Sequence, residues 1–366
     1  MKSHSIAIAC IVLLFCGLTH AQSTDAAQDS SPQKAAALAP MPGGDEEKKI
    51  TVDDVERTFL VHIPTGYDPK QHYPVVLLLH GREMDAEDME RLTRFNELAD
   101  KDSIIAVYPS AARGRWELGI PVAQPSEYPG RRGGGRGGII FGGPGMGGPG
   151  GRRGGGPGTQ RRRPPEEHDD IAFFNQMLDS LSAMYSVDTT RIYATGLADG
   201  GFMDFRLGCR LADRIAAIAP VGAEMPKGLA CLPERPVSVL MINGTSDPVM
   251  NYNDGNRAKE NSPATLAADD SAKFWAKLDS CPSKPHKTTI TPHEKGGMKT
   301  EVDTYDDCQQ GAQVALYSIK GAGNTWPGGE QYMPEKEIGK TSNDLNADEV
   351  IWQFLVSRHL PKPPQS

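Results

Sequence analysis

Between residues 57 and 359, short apolar runs alternate with longer segments that carry apolar residues on one helical face. "RTFLVHIP" (Arg57–Pro64) runs largely apolar and is closed by proline, which predicts a strand. "PVVLLLHG" (Pro74–Gly81) and "SIIAVYP" (Ser103–Pro109) are continuously apolar, the pattern of strands covered on both faces of a sheet. Between them "AEDMERLTRFNELAD" spaces Met89, Leu92, Phe95, Leu98 and Ala99 as one helix over 86–100. "DDIAFFNQMLDSLSAMY" aligns Ile171, Phe174, Leu178, Leu181 and Tyr185, with Asp169 and Asp170 at the end where acids complement the helix dipole. "RIYATG" predicts a strand, followed by a glycine-rich turn and a helix. "IAAIAPVG" and "PVSVLMING" predict two further strands, 264–278 a helix, and "VALYSIKG" (Val314–Gly321) a late strand. "NADEVIWQFLVSRH" predicts a closing helix, with Asn346 as N-cap and Glu349 three positions on, close to a capping box. The alternation predicts the α/β class, a mostly parallel sheet with helices on both faces.

Three stretches fall outside this rhythm. Lys2 and His4 precede the apolar run "IAIACIVLLFCGL", and "THAQ" offers a small-residue cleavage site after Ala21, so residues 1–21 read as an export signal. The run is too short for a membrane span, and no transmembrane segment is expected. Residues 22–47 are rich in Ala, Ser, Pro and Gln and read as a disordered tether. From about 119 to 165 glycine dominates, arginine recurs, and no acid occurs between Gly130 and Pro165. Such a stretch buries too little apolar area to offset the entropy of ordering it. Because strands and helices resume beyond it, it reads as an insertion in a single domain over 48–360, with 361–366 as a tail. It is either a cationic arm for a polyanion or a tolerated low-complexity expansion.

Charge and cysteine usage narrow the classes. The 366-residue chain carries a net charge of −8, which argues against nucleic acid as a general partner. Removal of the signal leaves four cysteines, Cys209, Cys231, Cys281 and Cys308. In an exported protein these are expected as disulfides, and proximity favours Cys209–Cys231 and Cys281–Cys308. No C-x-x-C or clustered histidine accompanies them, so no metal is expected. No cofactor is expected either. His168, flanked by Glu166, Glu167, Asp169 and Asp170, reads as a solvated helix start.

The chemistry-bearing stretch is "RIYATGLADGGFMDFRL", Arg191 to Leu207. Gly196-Leu197-Ala198-Asp199-Gly200 has the spacing of a nucleophile elbow, G-x-S-x-G, which lifts a serine onto a tight strand-to-helix turn. Here the apex is Ala198, which has no atom able to attack a carbonyl.

With that elbow in place, the chain resembles the secreted polyhydroxybutyrate-depolymerase and feruloyl-esterase branch of the α/β-hydrolases. The matching stretches run in order: "RTFLVHIPTGYDP", "YPVVLLLHG", "IIAVYPSA", "RIYATGLADGG", "IAAIAPVGAEMP", "VLMINGTSDPVMNY", "ALYSIKGAGNTWPGG" and "DEVIWQFLVSRH". The resemblance implies an α/β-hydrolase fold and a Ser, Asp, His triad in that chain order. Carried over by position, the nucleophile falls on Ala198, the acid on Asp247 in "NGTSDPVMNY", and the base on Asn324 in "GAGNTWPGG". Nucleophile and base are both replaced; only the acid matches. An amide is no base near neutral pH, though Asn324 can donate to Asp247. The oxyanion-hole positions fall on the backbone of Arg82 and Asp199, and Trp116 and Trp326 either line a sugar- or phenol-binding cleft or pack as core and loop anchors.

The resemblance therefore implies a secreted or periplasmic esterase-like protein that binds a ligand in the former cleft without catalysis. The ligand class is a small or polymeric ester, or a polysaccharide. Two alternatives stay open: an active ester hydrolase with relocated residues, Asp199 foremost, and a polyanion-binding scaffold acting through the Gly/Arg-rich arm.

Overall fold

The computed structural model describes residues 44–120, 170–255, 263–292 and 294–361. The export signal, most of the expected tether, the Gly/Arg-rich stretch from 121 onward and the His168 cluster up to Asp169 lie outside the described residues.

Among the described residues, ten strands form one sheet: β1 (Gly44–Val52), β2 (Val55–Ile63), β3 (Tyr73–Leu79), β4 (Ile105–Pro109), β5 (Val187–Leu197), β6 (Ala217–Val221), β7 (Ser238–Gly244), β8 (His286–Ile290), β9 (Thr300–Tyr305) and β10 (Val314–Ile319). Their order across the sheet is β1-β2-β4-β3-β5-β6-β7-β10-β9-β8. The six central strands, β4 to β10 in that order, are mutually parallel, and an antiparallel pair flanks each side. Strands β3, β4, β6 and β7 are buried along their whole length, as their unbroken apolar runs require. The helices are α1 (Ala86–Thr93), α2 (Phe95–Asp102), α3 (Asp170–Met184), α4 (Asp199–Arg210), α5 (Ala268–Leu278), the single turn α6 (Glu335–Ile338) and α7 (Ala347–Leu355). One core cluster gathers apolar residues of α3, α4 and α5 with Val75, Leu77 and Leu79 of β3. A second gathers α1, α2 and α7 with Val76 and Leu78, the alternate residues of the same strand. The sheet is thus packed on both faces, and the chain has an α/β-hydrolase fold.

Several boundaries differ from expectation. The first strand begins at Gly44, inside the stretch read as a tether, and its nine residues pair with β2 from Gly44↔Ile63 to Val52↔Val55. Its own sequence, "GDEEKKITV", has no apolar alternation before Ile50, so only the pairing reveals it. The single helix expected over 86–100 breaks at Arg94, which adopts a left-handed conformation (φ 53°). Thr93 turns its hydroxyl back onto the Met89 carbonyl, 2.9 Å away, and the break lets Phe95 start a second helix fully buried. The closing helix ends at Leu355, because the chain leaves it to seat Leu360, whose amide bonds the Thr190 carbonyl. Asn346 does cap that helix, accepting from the Glu349 amide.

Both disulfides follow the pairing that proximity favours, Cys209–Cys231 and Cys281–Cys308. Among the described residues, no helix is long and apolar enough to cross a membrane.

Candidate functional site

Parallel pairing sends the carboxyl ends of β3, β5, β6, β7 and β10 to one edge of the sheet, where ligands bind in folds of this kind. The loop after β3 carries Arg82, the turn after β5 carries Ala198 and Asp199, and β6 leads into Gly222 and Glu224. Asp247 follows β7, and Asn324 follows β10.

The elbow is formed in full. Ala198 sits at φ 52°, ψ −109°, a conformation that a non-glycine residue adopts only under strain of about 1–3 kcal/mol. The turn is this tight because α4 crosses close over β3. A Cβ placed on Gly200 would lie 2.2 Å from the Leu79 carbonyl oxygen, so only glycine fits. The Ala198 amide donates to the Val221 carbonyl at 2.9 Å, tying the apex to the end of β6.

The other two positions converge on the same strand end. Asn324, 1% exposed, donates from Nδ2 to Asp247 Oδ2 at 2.7 Å and to the Gly222 carbonyl at 2.9 Å. Apex and base position therefore hold consecutive carbonyls, Val221 and Gly222. The loops that carry Asp247 and Asn324 touch through Gly244, whose missing side chain leaves room for the Ala322 and Gly323 carbonyls; the Ser246 amide donates to the first of these. Asp247 Oδ1 accepts from the Val249 and Met250 amides at 2.7 and 2.8 Å. Burial still outweighs these donors and pushes the carboxyl up to about 6.

This arrangement has an acid and no nucleophile or base. Both amide hydrogens of Asn324 are committed, and its nitrogen has no lone pair to accept a proton. His80 is no substitute: its Nδ1 faces the Gly81 carbonyl at 2.7 Å, its Nε2 accepts from the Ala111 amide at 3.0 Å, and burial lowers its pKa. It packs as a neutral structural residue at the end of β3.

Arg82 and Asp199 answer each other. Arg82 Nε and Nη2 reach Asp199 Oδ2 and Oδ1 at 3.0 and 3.3 Å, a two-pronged ion pair. The pair cancels the repulsion expected from an inward Asp199 carboxylate, and it takes up the arginine that would otherwise favour an anionic ligand. Asp199 is the first residue of α4, so its N–H lacks an intrahelical partner, as an oxyanion donor requires.

The two tryptophans correct the cleft reading. Trp326 is fully buried and donates Nε1 to Asp348 at 3.0 Å. Trp116, 6% exposed, donates to the His80 carbonyl and packs against Phe174. Each ring is more useful filling core volume, with its N–H satisfied, than facing solvent. Asp170, read as part of a solvated helix start, is also buried: it pairs with Arg57 at 2.7 Å and accepts from the Glu117 amide at 2.6 Å. Among the described residues, no group of three His, Cys, Asp or Glu is placed to hold a metal ion.

Two residues of the site gave no signal of their own in the sequence. Glu224, in "VGAEMP", is buried with Oε1 on Asn243 and Oε2 unpartnered. Burial, reinforced by the nearby Asp247 charge, pushes it up to about 8, so it is largely protonated at neutral pH. Tyr332 donates to the Asn324 carbonyl at 3.2 Å and forms one wall of an open cavity of about 270 Å³. Arg82, Glu83, Met84, Asp88, Leu92 and Met333 also line that cavity, which neither Ala198, Asp199, Asp247 nor Asn324 lines. Tyr332 follows the "NTWPGG" stretch by only a few residues, which is the one hint the sequence held.

No protein-family model matches the chain. A feruloyl esterase B from Piromyces equi is 35% identical over 162 residues, 43% of this chain and 29% of that protein. A bifunctional acetylxylan esterase/xylanase from Neocallimastix patriciarum is 23% identical over 269 residues, 74% of this chain and 31% of that protein. The chain thus spans less than a third of the length of these two relatives. Among solved structures, a CE1 ferulic acid esterase from Anaeromyces mucronatus in complex with ferulic acid aligns with 93% of this chain and 98% of its own, at TM-score 0.40 and 14% identity. The chain is esterase-like by its sequence relatives.

Proposed function

We propose that this chain is a non-catalytic member of the esterase world, which retains the cleft as a ligand site and has given up turnover. One observation carries the reading: the buried Asn324 amide spends both hydrogens on Asp247 and the Gly222 carbonyl, beside a methyl group at the elbow apex. Attack and proton transfer are missing together, whereas a serine triad that loses a single member already drops to about 10³–10⁴ over water. The cavity walled by Arg82, Met84 and Tyr332 is the ligand seat in this reading, and esters of phenolic acids, hydroxyalkanoate oligomers or substituted polysaccharides are the candidate ligands. The two disulfides and the apolar start of the chain favour export. The tie between Asp199 and Arg82 argues against Asp199 as a substitute nucleophile.

The test is an assay of purified protein on a chromogenic short-chain ester. The unaltered chain is expected to give no turnover above the residual level of a triad-less hydrolase, and Ala198→Ser with Asn324→His together to raise it by about 10²-fold or more. Turnover by the unaltered chain at the level of active esterases overturns the reading. Calorimetric titration of the unaltered chain with a feruloylated oligosaccharide and a hydroxybutyrate trimer tests the ligand seat separately.

A further inference from the structure

The edge of the sheet opposite the elbow holds a second cavity, of about 310 Å³. Arg235 and Ser238 bring the start of β7 to it, Gln310 the turn before β10, and Ser357, Arg358 and His359 the segment after α7. Among the described residues, no aspartate or glutamate lines it. Arg235 donates to the carbonyls of Ala212, Ile215, Ala216 and Pro236, so four bonds fix its guanidinium and none of them comes from a carboxylate. Arg358 lies over the Phe354 ring at 5.0 Å and gives Nη2 to Gln313 at 2.7 Å, while its buried Nε has no partner among the described residues. The Ser238 hydroxyl accepts from the Gln313 amide, which leaves its own hydrogen to donate. Asp213, Asp279 and Asp306 lie near enough to act on the two arginines but do not line the cavity; Asp279 accepts the Val237 amide on Oδ1, and its Oδ2 has no hydrogen-bond partner among the described residues.

We propose that this cavity binds a tetrahedral oxyanion, a sulfate or phosphate group, between Arg358, Arg235 and the Ser238 hydroxyl. A half-buried pair of guanidiniums without a facing carboxylate is costly, and a buried donor left unpaired adds to that cost. An oxyanion presents several acceptor lone pairs at once, so it matches donors that approach from different elements, and it pairs well with the fixed fork of arginine. Burial lowers the pKa of both arginines, and Asp279 and Asp213 on Arg235 and Asp306 on Arg358 oppose it without lining the cavity. The cavity is larger than a bare ion requires, leaving room for the sugar or chain that bears the group.

Thermal denaturation of the full protein in sodium sulfate and sodium phosphate, against sodium chloride at equal ionic strength, tests the site. A saturable rise in Tm with sulfate or phosphate and none with chloride is expected, since a ligand that binds only the folded state stabilises it by mass action. Arg358→Gln should abolish the rise and Ser238→Ala weaken it. Circular dichroism checks that both variants fold, and Ala198→Ser serves as a variant with the full response. Glucose 6-sulfate and glucose 6-phosphate separate the sources: saturation at tenfold lower concentration than the free ions assigns the group to a larger ligand, and equal saturation assigns the site to the inorganic ion. Equal shifts with sulfate and chloride, or an unchanged response in Arg358→Gln, overturn the proposal. Crystals soaked in selenate that show only water in the cavity overturn it as well.

Discussion

At the scale of single residues, the Asn324 amide ties Asp247 to the end of β6. Its Nδ2 satisfies Asp247 Oδ2 and the Gly222 carbonyl at once. Truncation by Asn324→Ala should therefore leave a buried carboxylate and a buried carbonyl short of a donor, and cost about 1–3 kcal/mol in urea denaturation at neutral pH. It should also raise the Asp247 carboxyl above about 6, because a bond that favours the charged form is lost. Loss of less than a few tenths of a kcal/mol would mean that the amide is idle. Ala198 was legible in the elbow's glycine spacing, whereas Asp247 and Asn324 were singled out only by the family resemblance. Glu224 was not legible, since nothing in "VGAEMP" distinguishes a buried acid from an exposed one.

At the scale of elements, the Gly/Arg-rich stretch interrupts the chain between two anchored points. Glu117 lies just before it and Asp170 just after it, and the Glu117 amide donates to Asp170 Oδ2 at 2.6 Å. Asp170 Oδ1 in turn takes Arg57 of β2 at 2.7 Å, and Arg57 also donates to the Ser110 carbonyl. This contact ties the last residues before the stretch to the first described residues after it. The clasp is an ion pair with both side chains under 5% exposed. Asp170→Ala should cost about 3–5 kcal/mol, since it strands the Arg57 charge. Arg57→Met with Asp170→Leu should cost clearly less than Asp170→Ala alone; an equal or larger loss in chemical denaturation would refute the ion-pair account. The strands the sequence hid, β1, β8 and β9, lie toward the sheet's two margins. All five residues of β8 are exposed, so no apolar run announces it.

At the scale of the whole molecule, buried acids set the response to pH. Burial pushes Asp247 to about 6, Asp279 and Asp348 to about 7, and Glu224 to about 8. The unfolded values lie near 4, so over this range the folded state binds more protons than the unfolded one, and stability falls as pH rises. The contribution is complete below about pH 4 and is lost by about pH 8. Urea midpoints should drop between about pH 5 and about pH 8, and Glu224→Gln should flatten the upper part of that fall by about 1–3 kcal/mol. A midpoint that rises over this interval would contradict it. The two disulfides close loops of 22 and 27 residues in the same half of the fold, and each is worth about 2–4 kcal/mol to the folded state.

Local sequence was enough for the class of fold, the position of the elbow and the disulfide pairing, while the weight given to Asp247 and Asn324 came from the family resemblance. Periodicity, glycine spacing and side-chain chemistry are local properties, and each is written in a few neighbouring residues. Long-range packing set that Arg82 would neutralise Asp199, that Trp116 and Trp326 would fill the core, that Glu224 would be buried near Asp247, and that two arginines would line one cavity with no carboxylate among the described residues. Those outcomes depend on which segments the sheet order brings together, and on the burial that follows, which no stretch of the chain carries alone.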